Sequence, residues 1–449
     1  MNDNEYYDWV TRPGSASRQR TLVRQEQAPP WETLTGAQAP ASPGWDVTTL
    51  PLPVLDPDFA PQKEETHDPV ANRRDTDGLR RARSRARRPR RAPVGSPDVD
   101  ALTLTVVVPA YNEAAALPET LDAIMHQTTA PDRVIVVDDG SSDGTGDIAR
   151  AMGAEVVRRP ESLGSKSASF NSGLLECDTD IVLCVDGDTV LGADYVERIK
   201  APFADPSVAV ASGVILTWNP KGVFQRGRQT EYLLGQHLYR PVQNAWSSPT
   251  VCPGAACAFR REPLAALGGF PDGTIAEDMD YTWRAMLAGY RAVHVGGAEC
   301  YVTDPSTPAQ MRVQLWRWMS GYFQCLRTHW GQVIRRKPVL ALLMLTGIWD
   351  VLFIPMWLAT LLTLHGSGGA FADRALFLLF GIDLAVSLPV VLAAAVRRKF
   401  NPLWALASFP CIWVNRAFNT YYFTKAMIWE LVLVPCGWKS GLSFFEKGH

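Results

Sequence analysis

The chain has 449 residues, with 44 Lys and Arg against 46 Asp and Glu, which gives a formal net charge of −2. This balance argues against a protein that is basic overall and built mainly to coat nucleic acid. At roughly 100 to 200 residues per domain, the length allows two or three structural units, each able to bury a core.

The eight cysteines are scattered through the chain without paired C-x-x-C spacing, which is typical of reduced thiols. Cys252 and Cys257 lie nearest to each other, but no set of His or Cys partners accompanies them. Two packed thiols are therefore favoured over a zinc site. The first residues lack the basic start and apolar run of a signal peptide, so we expect the chain to begin in the cytoplasm.

Residues 1–97 are rich in Pro, Ser, Thr, Gln, Asp and Arg and show no apolar periodicity, which predicts a disordered tail. Within this tail, residues 73–91 hold ten Arg and two Asp, a local charge of about +8. A solvated linker is the commonest role of such a run. Binding to the anionic inner leaflet comes second, and binding to nucleic acid third.

From residue 102, short apolar segments alternate with helical ones, which indicates an α/β domain. The predicted strands are 102–108, 134–137 and 181–185, and the predicted helices are about 114–127, 143–152 and 165–176. Near-continuous apolar strands are typical of parallel sheets covered on both faces. Ligands bind such sheets at the carboxyl ends of the strands, where the polar motifs of this chain fall.

Two apolar segments near the C-terminus, 338–364 and 375–396, are each long enough to span a bilayer. Basic triplets precede the first and follow the second, so both flanks are expected in the cytoplasm. A third apolar region, 403–435, is interrupted by polar residues and either crosses the bilayer or lies along its interface. Asp350 and Asp383, inside the two clear spans, are expected to face protein or water rather than lipid.

The first two strands end in PAYNE (109–113) and VVDDGSSDGT (136–145). An acceptor-rich turn after the first strand suits a base or ribose. Asp138 and Asp139 at the end of the second strand are expected to bind the base or ribose of a nucleotide. For Asp143 we favour a structural role, in which it or Thr145 caps the next helix.

The third strand leads into VDGDT (185–189), in which Asp186 and Asp188 flank Gly187. Other D-x-D pairs occur in the chain, but only this one directly follows a buried strand and has Gly at its centre. A glycine lets the backbone approach a ligand closely. Two hard oxygen ligands fit Mg²⁺ or Mn²⁺, which would take further bonds from substrate phosphates and offset the charge of a leaving diphosphate.

Two later motifs complete the set. Glu277 and Asp278 begin a predicted amphipathic helix, where a carboxylate is either stabilised by the helix dipole or acts as a general base. QLWRW (314–318) lies on a further helix just before the first apolar segment. Trp316 and Trp330 suit membrane anchoring, whereas Arg317 suits bidentate binding of a diphosphate.

Over residues 102–330 the ordered set PAYNE, VDDGSSDGT, DGD, AED and QLWRW resembles the family 2 glycosyltransferases. The resemblance is to their membrane-integrated processive branch, which includes cellulose, hyaluronan and poly-N-acetylglucosamine synthases. Residues 158–174 and 252–270 are also similar to that branch, the second segment most of all to the N-acetylglucosamine polymerases. The usual Thr before Glu-Asp is Ala276 here.

The resemblance implies a GT-A (Rossmann-like) α/β fold followed by a transmembrane helical region, a UDP-sugar donor, Mg²⁺ or Mn²⁺, and inversion by a single displacement. The resemblance further implies that uridine is held by Ala110, Tyr111, Glu113 and Asp139, and that Asp138 and Lys166 lie near the nucleotide. It implies that UDP and metal are held by Asp186 and Asp188, with Asp188 as the direct ligand. It also implies that Asp278 is the general base with Glu277 as its neighbour, and that the acceptor and diphosphate end is lined by Gln314, Arg317 and Trp318.

The expected organisation is a tail (1–97), a catalytic domain (98–305), an interface helix (306–337) and a transmembrane region with the C-terminal segment (338–449).

The leading hypothesis is a multi-pass cell-membrane enzyme, with its catalytic domain in the cytoplasm, that elongates a β-linked glycan, with N-acetylglucosamine as a candidate sugar. A second is transfer of a single sugar to a lipid or protein acceptor. A third, a catalytically silent scaffold, is disfavoured because clustered carboxylates repel one another unless a cation is present. Nucleic acid is an unlikely partner, and the sequence leaves processivity and oligomeric state open.

Overall fold

The computed structural model describes residues 99–162, 164–271, 274–345, 370–438 and 440, with side chains omitted for 370–380. The tail predicted for residues 1–97 lies outside the described residues. So does most of the first apolar segment, including Asp350.

One eight-stranded sheet has the strand order β3-β2-β1-β4-β7-β6-β8-β5. Its strands are β1 Leu104–Ala110, β2 Arg133–Asp138, β3 Glu155–Arg158, β4 Ile181–Val185, β5 Thr189–Leu191, β6 Val208–Thr217, β7 Ala256–Arg260 and β8 Arg291–Val302. The three strands predicted from the sequence correspond to β1, β2 and β4, which pair in parallel as expected. Beyond them the sheet is mixed, because β7 runs antiparallel to both β4 and β6, and β5 runs antiparallel to β8.

The α-helices of residues 99–337 are α1 Leu117–Met125, α2 Thr145–Ala151, α3 Lys166–Leu175, α4 Tyr195–Lys200, α5 Val223–Leu234, α6 Arg240–Ala245, α7 Arg261–Ala266, α8 Glu277–Leu287 and α9 Pro308–Arg336. A π-helical turn, Gly235–Tyr239, joins α5 to α6. The C-terminal helices are α10 Ala370–Arg397, α11 Pro402–Ser408 and α12 Cys411–Ile428, followed by a second π-helical turn, Trp429–Leu433.

Both faces of the parallel strands are covered. Val106 and Val108 of β1 pack into one hydrophobic cluster, with Leu117 and Leu121 of α1. Val107 packs into a cluster on the other side of the sheet. Successive side chains of a strand point to opposite faces, so a continuous apolar run requires two covered faces. The prediction of a sheet covered on both sides is confirmed.

Helix α12 lies within the apolar region 403–435, and its polar side chains bind protein groups. Asn415 donates from Nδ2 to the Phe224 carbonyl (3.1 Å), and Asn419 donates to Glu231 (2.8 Å). Arg416 pairs with Asp383 of α10 at 2.7 Å. Asp383 therefore faces protein, as predicted. Among the helices the structure describes, none is both long and apolar enough to cross a membrane.

Candidate active site

The loops that follow β1 and β2 are tied together by side-chain to backbone hydrogen bonds. The backbone N–H of Asn112, a residue with φ of 56°, donates to Ser141 Oγ (3.0 Å). The N–H of Ala114 donates to Asp143 Oδ2 (3.0 Å). Asp143 Oδ1 also accepts from the N–H of Thr145, the first residue of α2 (3.0 Å). Asp143 therefore has a structural role, but the prediction that it or Thr145 caps the helix is wrong, because the N-cap residue is Gly144 and no side chain caps it.

The two aspartates at the end of β2 are both buried. Asp138 accepts from the Ser141 N–H (2.8 Å). Asp139 accepts from Ser162 Oγ (2.7 Å) and lies 3.3 Å from Arg159 Nε. A cavity of about 330 Å³ is lined by Gly140, Ser141, Arg158, Arg159 and Pro160. The loops after β2 and β3 thus build a recess whose two arginines pair with the buried aspartates.

The first two residues expected to contact uridine stand at the end of β1. Ala110 is buried, and its carbonyl accepts from the Asp139 N–H (2.9 Å), so the two strand ends are held in register. Tyr111, the next residue, is exposed. Its ring is therefore accessible at the same edge of the sheet as Asp139.

Lys166 connects two motifs that lie far apart in the sequence. It is the first residue of α3, whose N-cap Ser165 accepts from the Ala168 N–H. Its Nζ lies 2.5 Å from Asp186 Oδ1 and 3.6 Å from Glu277 Oε1. Burial lowers the pKa of Lys166, but the carboxylates of Asp186 and Glu277 outweigh that effect and raise the pKa above its ordinary value. A protonated lysine therefore joins the DGD turn to the start of α8.

The DGD turn carries a concentration of negative charge. Burial, followed by the charge of Asp186, raises the pKa of Asp188 to about 6. Burial, followed by the charges of Asp188 and Asp186, raises the pKa of Glu113 to about 7. A Cβ on Gly187 would lie 3.2 Å from Glu113 Cγ, so the glycine lets the turn pack against Glu113. Glu113, predicted to hold uridine, is thus beside the acidic turn.

These acids alone do not make a closed metal cage, because the described residues contain no group of three or more His, Cys, Asp or Glu placed to hold an ion. The oxygen donors of Asp186 and Asp188 nevertheless fit Mg²⁺ or Mn²⁺. Such ions are commonly bound by one or two carboxylates together with waters and substrate phosphates. The donor set therefore fits a cation that arrives with a diphosphate.

Asp278 is held at the start of α8 by two backbone donors. Its Oδ2 accepts from the Gly254 N–H (2.6 Å), and its Oδ1 accepts from the Met279 N–H (2.7 Å). Burial and the adjacent Glu277 raise the pKa of Asp278 to about 6. A carboxyl group with a pKa near neutrality suits proton transfer, since general bases work best when their pKa lies close to the operating pH.

Asp280, two residues further along α8, is used differently. It lies 2.5 Å from Arg284 Nε and 2.6 Å from His329 Nε2 of α9. These partners and its burial indicate that Asp280 holds α8 against α9. The acids of this helix therefore divide into a structural group, Asp280, and the pair Glu277 and Asp278.

The loop that leads into Glu277 and Asp278 rests on α9. The Ile275 N–H donates to Gln324 Oε1 (3.1 Å). A Cβ on Gly321 would lie 2.6 Å from Ala276 Cβ, so the loop and the helix are in close contact there. The position of Asp278 thus depends on α9, the helix that also carries QLWRW.

The predicted acceptor residues lie on the same helix. Gln314 and Trp318 both contact Arg228 of α5, with Arg228 Nη2 at 3.5 Å from Gln314 Oε1 and the guanidinium carbon 5.0 Å from the centre of the Trp318 ring. Arg317 is close enough for its charge to lower the pKa of Asp188, opposing the effects of burial and Asp186. The charge of Arg317 on QLWRW is therefore felt at the DGD turn, where its effect is smaller than those of burial, Asp186 and Lys166.

The two tryptophans considered as membrane anchors are packed within the protein. Trp316 contacts Trp429 edge-on at 5.9 Å, and Lys425 Nζ lies 4.8 Å from the centre of its ring. Trp330 is partly buried against the core cluster beneath α9. Their contacts join α9 to other protein elements, including the C-terminal helices in the case of Trp316.

Sequence reasoning missed three residues that shape this site: Gly254, Gln324 and Arg228. Each acts through a contact with a residue at least 24 positions away. The available signal was weak for Gly254, which lies within CPGAACAF, and absent for the other two.

Comparison with known proteins agrees with the motifs. Residues 101–321 match the family model described as glycosyltransferase like family 2. The probable glycosyltransferase YdaM of Bacillus subtilis (strain 168) is 29% identical over 237 residues, which cover 49% of this chain and 54% of the relative. The poly-β-1,6-N-acetyl-D-glucosamine synthase of Staphylococcus aureus (strain COL) is 24% identical over 260 residues, covering 56% of this chain and 62% of the relative.

Among solved structures, the mannosyltransferase PcManGT from Pyrobaculum calidifontis, in complex with GDP-Man and Mn²⁺, aligns with a TM-score of 0.48 and 22% identity, covering 81% of this chain and 97% of that one.

The sequence alignments to the two curated relatives span about half to three fifths of the length of those relatives. The match to the family model extends from the start of the sheet to Gly321 and includes all five motifs. Residues 101–321 therefore form a glycosyltransferase family 2 domain, as the ordered motifs predicted.

Proposed function

We propose that this chain is an inverting, membrane-bound hexosyltransferase that moves a sugar from a UDP-sugar to the end of a growing β-linked glycan at the cytoplasmic face of the cell membrane. The observation that carries the proposal is the position of Lys166 between Asp186 and Glu277. This contact supports a single site that contains both the acids suited to a nucleotide diphosphate and those suited to proton transfer.

The donor end of this site is the edge of the sheet at Tyr111, Asp138 and Asp139. The cavity nearby is lined by Arg158 and Arg159, which lie 3.5 Å from the buried carboxylate of Asp138 and 3.3 Å from that of Asp139, respectively. Guanidinium donors beside carboxylates suit the nucleobase and ribose of a nucleotide. UDP-N-acetylglucosamine is the leading donor, which is supported by the name of the Staphylococcus aureus relative and by the resemblance of residues 252–270 to N-acetylglucosamine polymerases.

Asp188, with Asp186 beside it, would hold Mg²⁺ or Mn²⁺ together with the donor diphosphate. Such an ion, when bound, supplies Lewis-acid stabilisation of the charge that develops on the leaving group. Lys166 and Arg317 add positive charge at the same place, because both act on the acids of the DGD turn. The residues of this chain thus supply both the ligands and the cations that a departing UDP requires.

Asp278 would accept the proton of the acceptor hydroxyl. As that proton moves to the carboxylate, the acceptor oxygen forms a bond to the anomeric carbon and the bond from that carbon to the diphosphate breaks. The electron pair of the broken bond leaves with UDP. Attack from the face opposite the leaving group inverts the anomeric carbon. General-base assistance of this kind typically contributes 10² to 10⁴ in rate.

The acceptor end is formed by Gln314, Arg317 and Trp318. Trp318 is about one-third exposed, so part of its ring is available to a sugar. Gln314 supplies an amide beside it. This arrangement suits a chain of sugars that presents a hydroxyl of its non-reducing terminus to Asp278.

Membrane association is supported by apolar side chains that the C-terminal helices leave exposed: Ile382, Val386, Leu403, Leu406, Tyr421, Ile428 and Val432. Large exposed apolar surfaces mark sites that contact another protein or a membrane. The two apolar segments of the sequence with their basic flanks favour the membrane.

The test is UDP release by membranes that contain the full chain, with and without Mn²⁺, across a panel of UDP-sugars, with the product sized. Asp278→Asn serves as the blank. A long product from one donor supports the proposal and names the sugar. A product extended by a single sugar would replace elongation with single transfer, and no release above the blank from any donor would contradict the proposed enzyme activity.

A further inference from the structure

Arg228 is a buried cation that none of the catalytic motifs includes. It lies on α5 and is 5% exposed. Its Nη1 donates to Glu231 Oε2 (2.7 Å), and its Nε lies 3.8 Å from Asp304 Oδ1. A buried guanidinium needs such partners, because an uncompensated charge in the interior is costly. Two carboxylates therefore hold Arg228 in one place.

The two carboxylates are themselves fixed by neighbouring elements. Asp304, just after β8, accepts from Thr217 Oγ1 of β6 (2.7 Å). Glu231 accepts from Asn419 of α12 (2.8 Å). The orientation of the guanidinium is thus set by the sheet on one side and by a C-terminal helix on the other.

The remaining face of Arg228 is turned to α9. Its Nη2 is 3.5 Å from Gln314 Oε1 and 3.4 Å from Met311 Sδ, and its guanidinium carbon is 5.0 Å from the centre of the Trp318 ring. A flat guanidinium can stack on an aromatic ring while donating at its edge, which an ammonium group cannot do in the same way. Arg228 therefore contacts both outer residues of the acceptor motif at once.

We infer that Arg228 is a positioning residue that sets the orientation of Trp318 and Gln314 for the acceptor sugar. The inference rests on the proposed function, since it assigns the acceptor end of the same site. It also gives α12 a role in acceptor binding, because α12 holds Glu231 and Glu231 holds Arg228. Donor binding, which depends on other residues, is expected to be independent of it.

The experiment compares wild type with Arg228→Lys and Arg228→Met in the full chain. UDP release from UDP-N-acetylglucosamine with Mn²⁺ is measured against a β-1,6-linked N-acetylglucosamine pentamer as the probe acceptor, and UDP affinity is measured separately by calorimetry. Arg228→Lys keeps a positive charge between Glu231 and Asp304, so it remains informative if Arg228→Met does not fold. Arg226→Met is the matched control, because Arg226 lies on the same helix and stacks on Trp404 (5.6 Å), a residue outside the acceptor motif.

We expect Arg228→Lys to raise the acceptor KM at least tenfold while UDP affinity changes less than twofold, with Arg226→Met close to wild type in both. An unchanged acceptor KM in Arg228→Lys would overturn the inference. So would equal losses of acceptor and UDP binding, since they would show a general structural defect. Absence of transfer by wild type itself would instead count against the proposed function, and the inference would fall with it.

Discussion

Lys166 Nζ lies 2.5 Å from Asp186 Oδ1, although 20 positions separate the two residues and they belong to different motifs. Replacement of Lys166 by Met would leave the Asp186 carboxylate unneutralised where a diphosphate is proposed to bind. We expect UDP affinity in the presence of Mn²⁺ to fall at least tenfold, because like charges then face each other. Calorimetric titration of Lys166→Met and Lys166→Arg with UDP checks this. Wild-type affinity in Lys166→Met would show that the cation is not needed for the nucleotide.

The assignment of Asp278 as the base predicts a separation of binding from chemistry. Asp278→Asn should bind UDP as wild type does but transfer sugar at least 10² times more slowly, as expected for loss of a general base. Single-turnover rates and UDP titration measure the two effects. Near-normal turnover would remove the assignment.

Asp280→Asn is the matched control on the same helix. It weakens the contacts to Arg284 and His329, which join α8 to α9. Breaking such a buried pair costs about 3 kcal/mol. We therefore expect a lower Tm with a rate per folded molecule within a few-fold of wild type, the reverse of the pattern for Asp278→Asn.

The pH dependence of transfer follows from the raised pKa of Asp278. Burial and Glu277 raise that pKa to about 6, so the carboxyl is protonated below pH 6 and cannot accept a proton. We expect kcat/KM to rise with pH through about 6 and then level off, since this ratio reports the ionisation of the free enzyme. A profile flat from pH 5 to pH 8 at constant Mn²⁺ would contradict the role of Asp278.

The metal assignment is tested with two aspartates at opposite ends of β4. Asp188→Ala should abolish Mn²⁺-dependent UDP binding, because a direct oxygen ligand is lost. Asp178→Ala is the control, because Asp178 is exposed, pairs with Arg133 (3.1 Å) and also belongs to a D-x-D pair. UDP titrations with and without Mn²⁺ compare the two variants. Unchanged Mn²⁺ dependence in Asp188→Ala would remove Asp188 as the ligand.

The half of the sheet formed by β1, β2 and β4 was predictable, because a continuous apolar run that ends in a polar turn is typical of a buried parallel strand. Asp186 and Asp188 could be chosen among many D-x-D pairs because they follow such a strand directly. The antiparallel strand β7 was not foreseen. Its sequence, ACAFR, is short and shows no alternation of apolar and polar residues. Its place between β4 and β6 depends on pairings between residues more than 40 positions apart.

The predicted site residues stay a prediction, and the sequence did not reveal the contacts that hold them in the structure. The sequence placed Asp278 at a helix start, yet the Gly254 N–H that binds it comes from a loop 24 residues earlier. The close packing of Glu113 against Gly187 of the acidic turn was not foreseen either. Such contacts depend on tertiary packing and leave no local pattern, so only the structure reveals them.

The contact between α9 and the loop that leads into Asp278 predicts opposite effects on stability for alanine substitutions at two glycines of α9, Gly321 and Gly331. A Cβ on Gly321 would lie 2.6 Å from Ala276 Cβ and 3.1 Å from the Ala276 nitrogen, so Gly321→Ala must displace the loop that leads into Asp278. Overpacking of this kind costs about 1 to 3 kcal/mol, and a displaced base slows transfer. We expect a lower Tm and at least a tenfold lower kcat, with UDP affinity within twofold of wild type.

Gly331→Ala is the control, because Gly331 is exposed and a Cβ there meets nothing within 4 Å. Alanine favours a helix over glycine by about 1 kcal/mol, so this variant should be slightly more stable and fully active. Thermal melts and single-turnover rates on the full chain compare the pair. Equal kcat in the two variants would show that the loop tolerates displacement and that α9 does not set the position of Asp278.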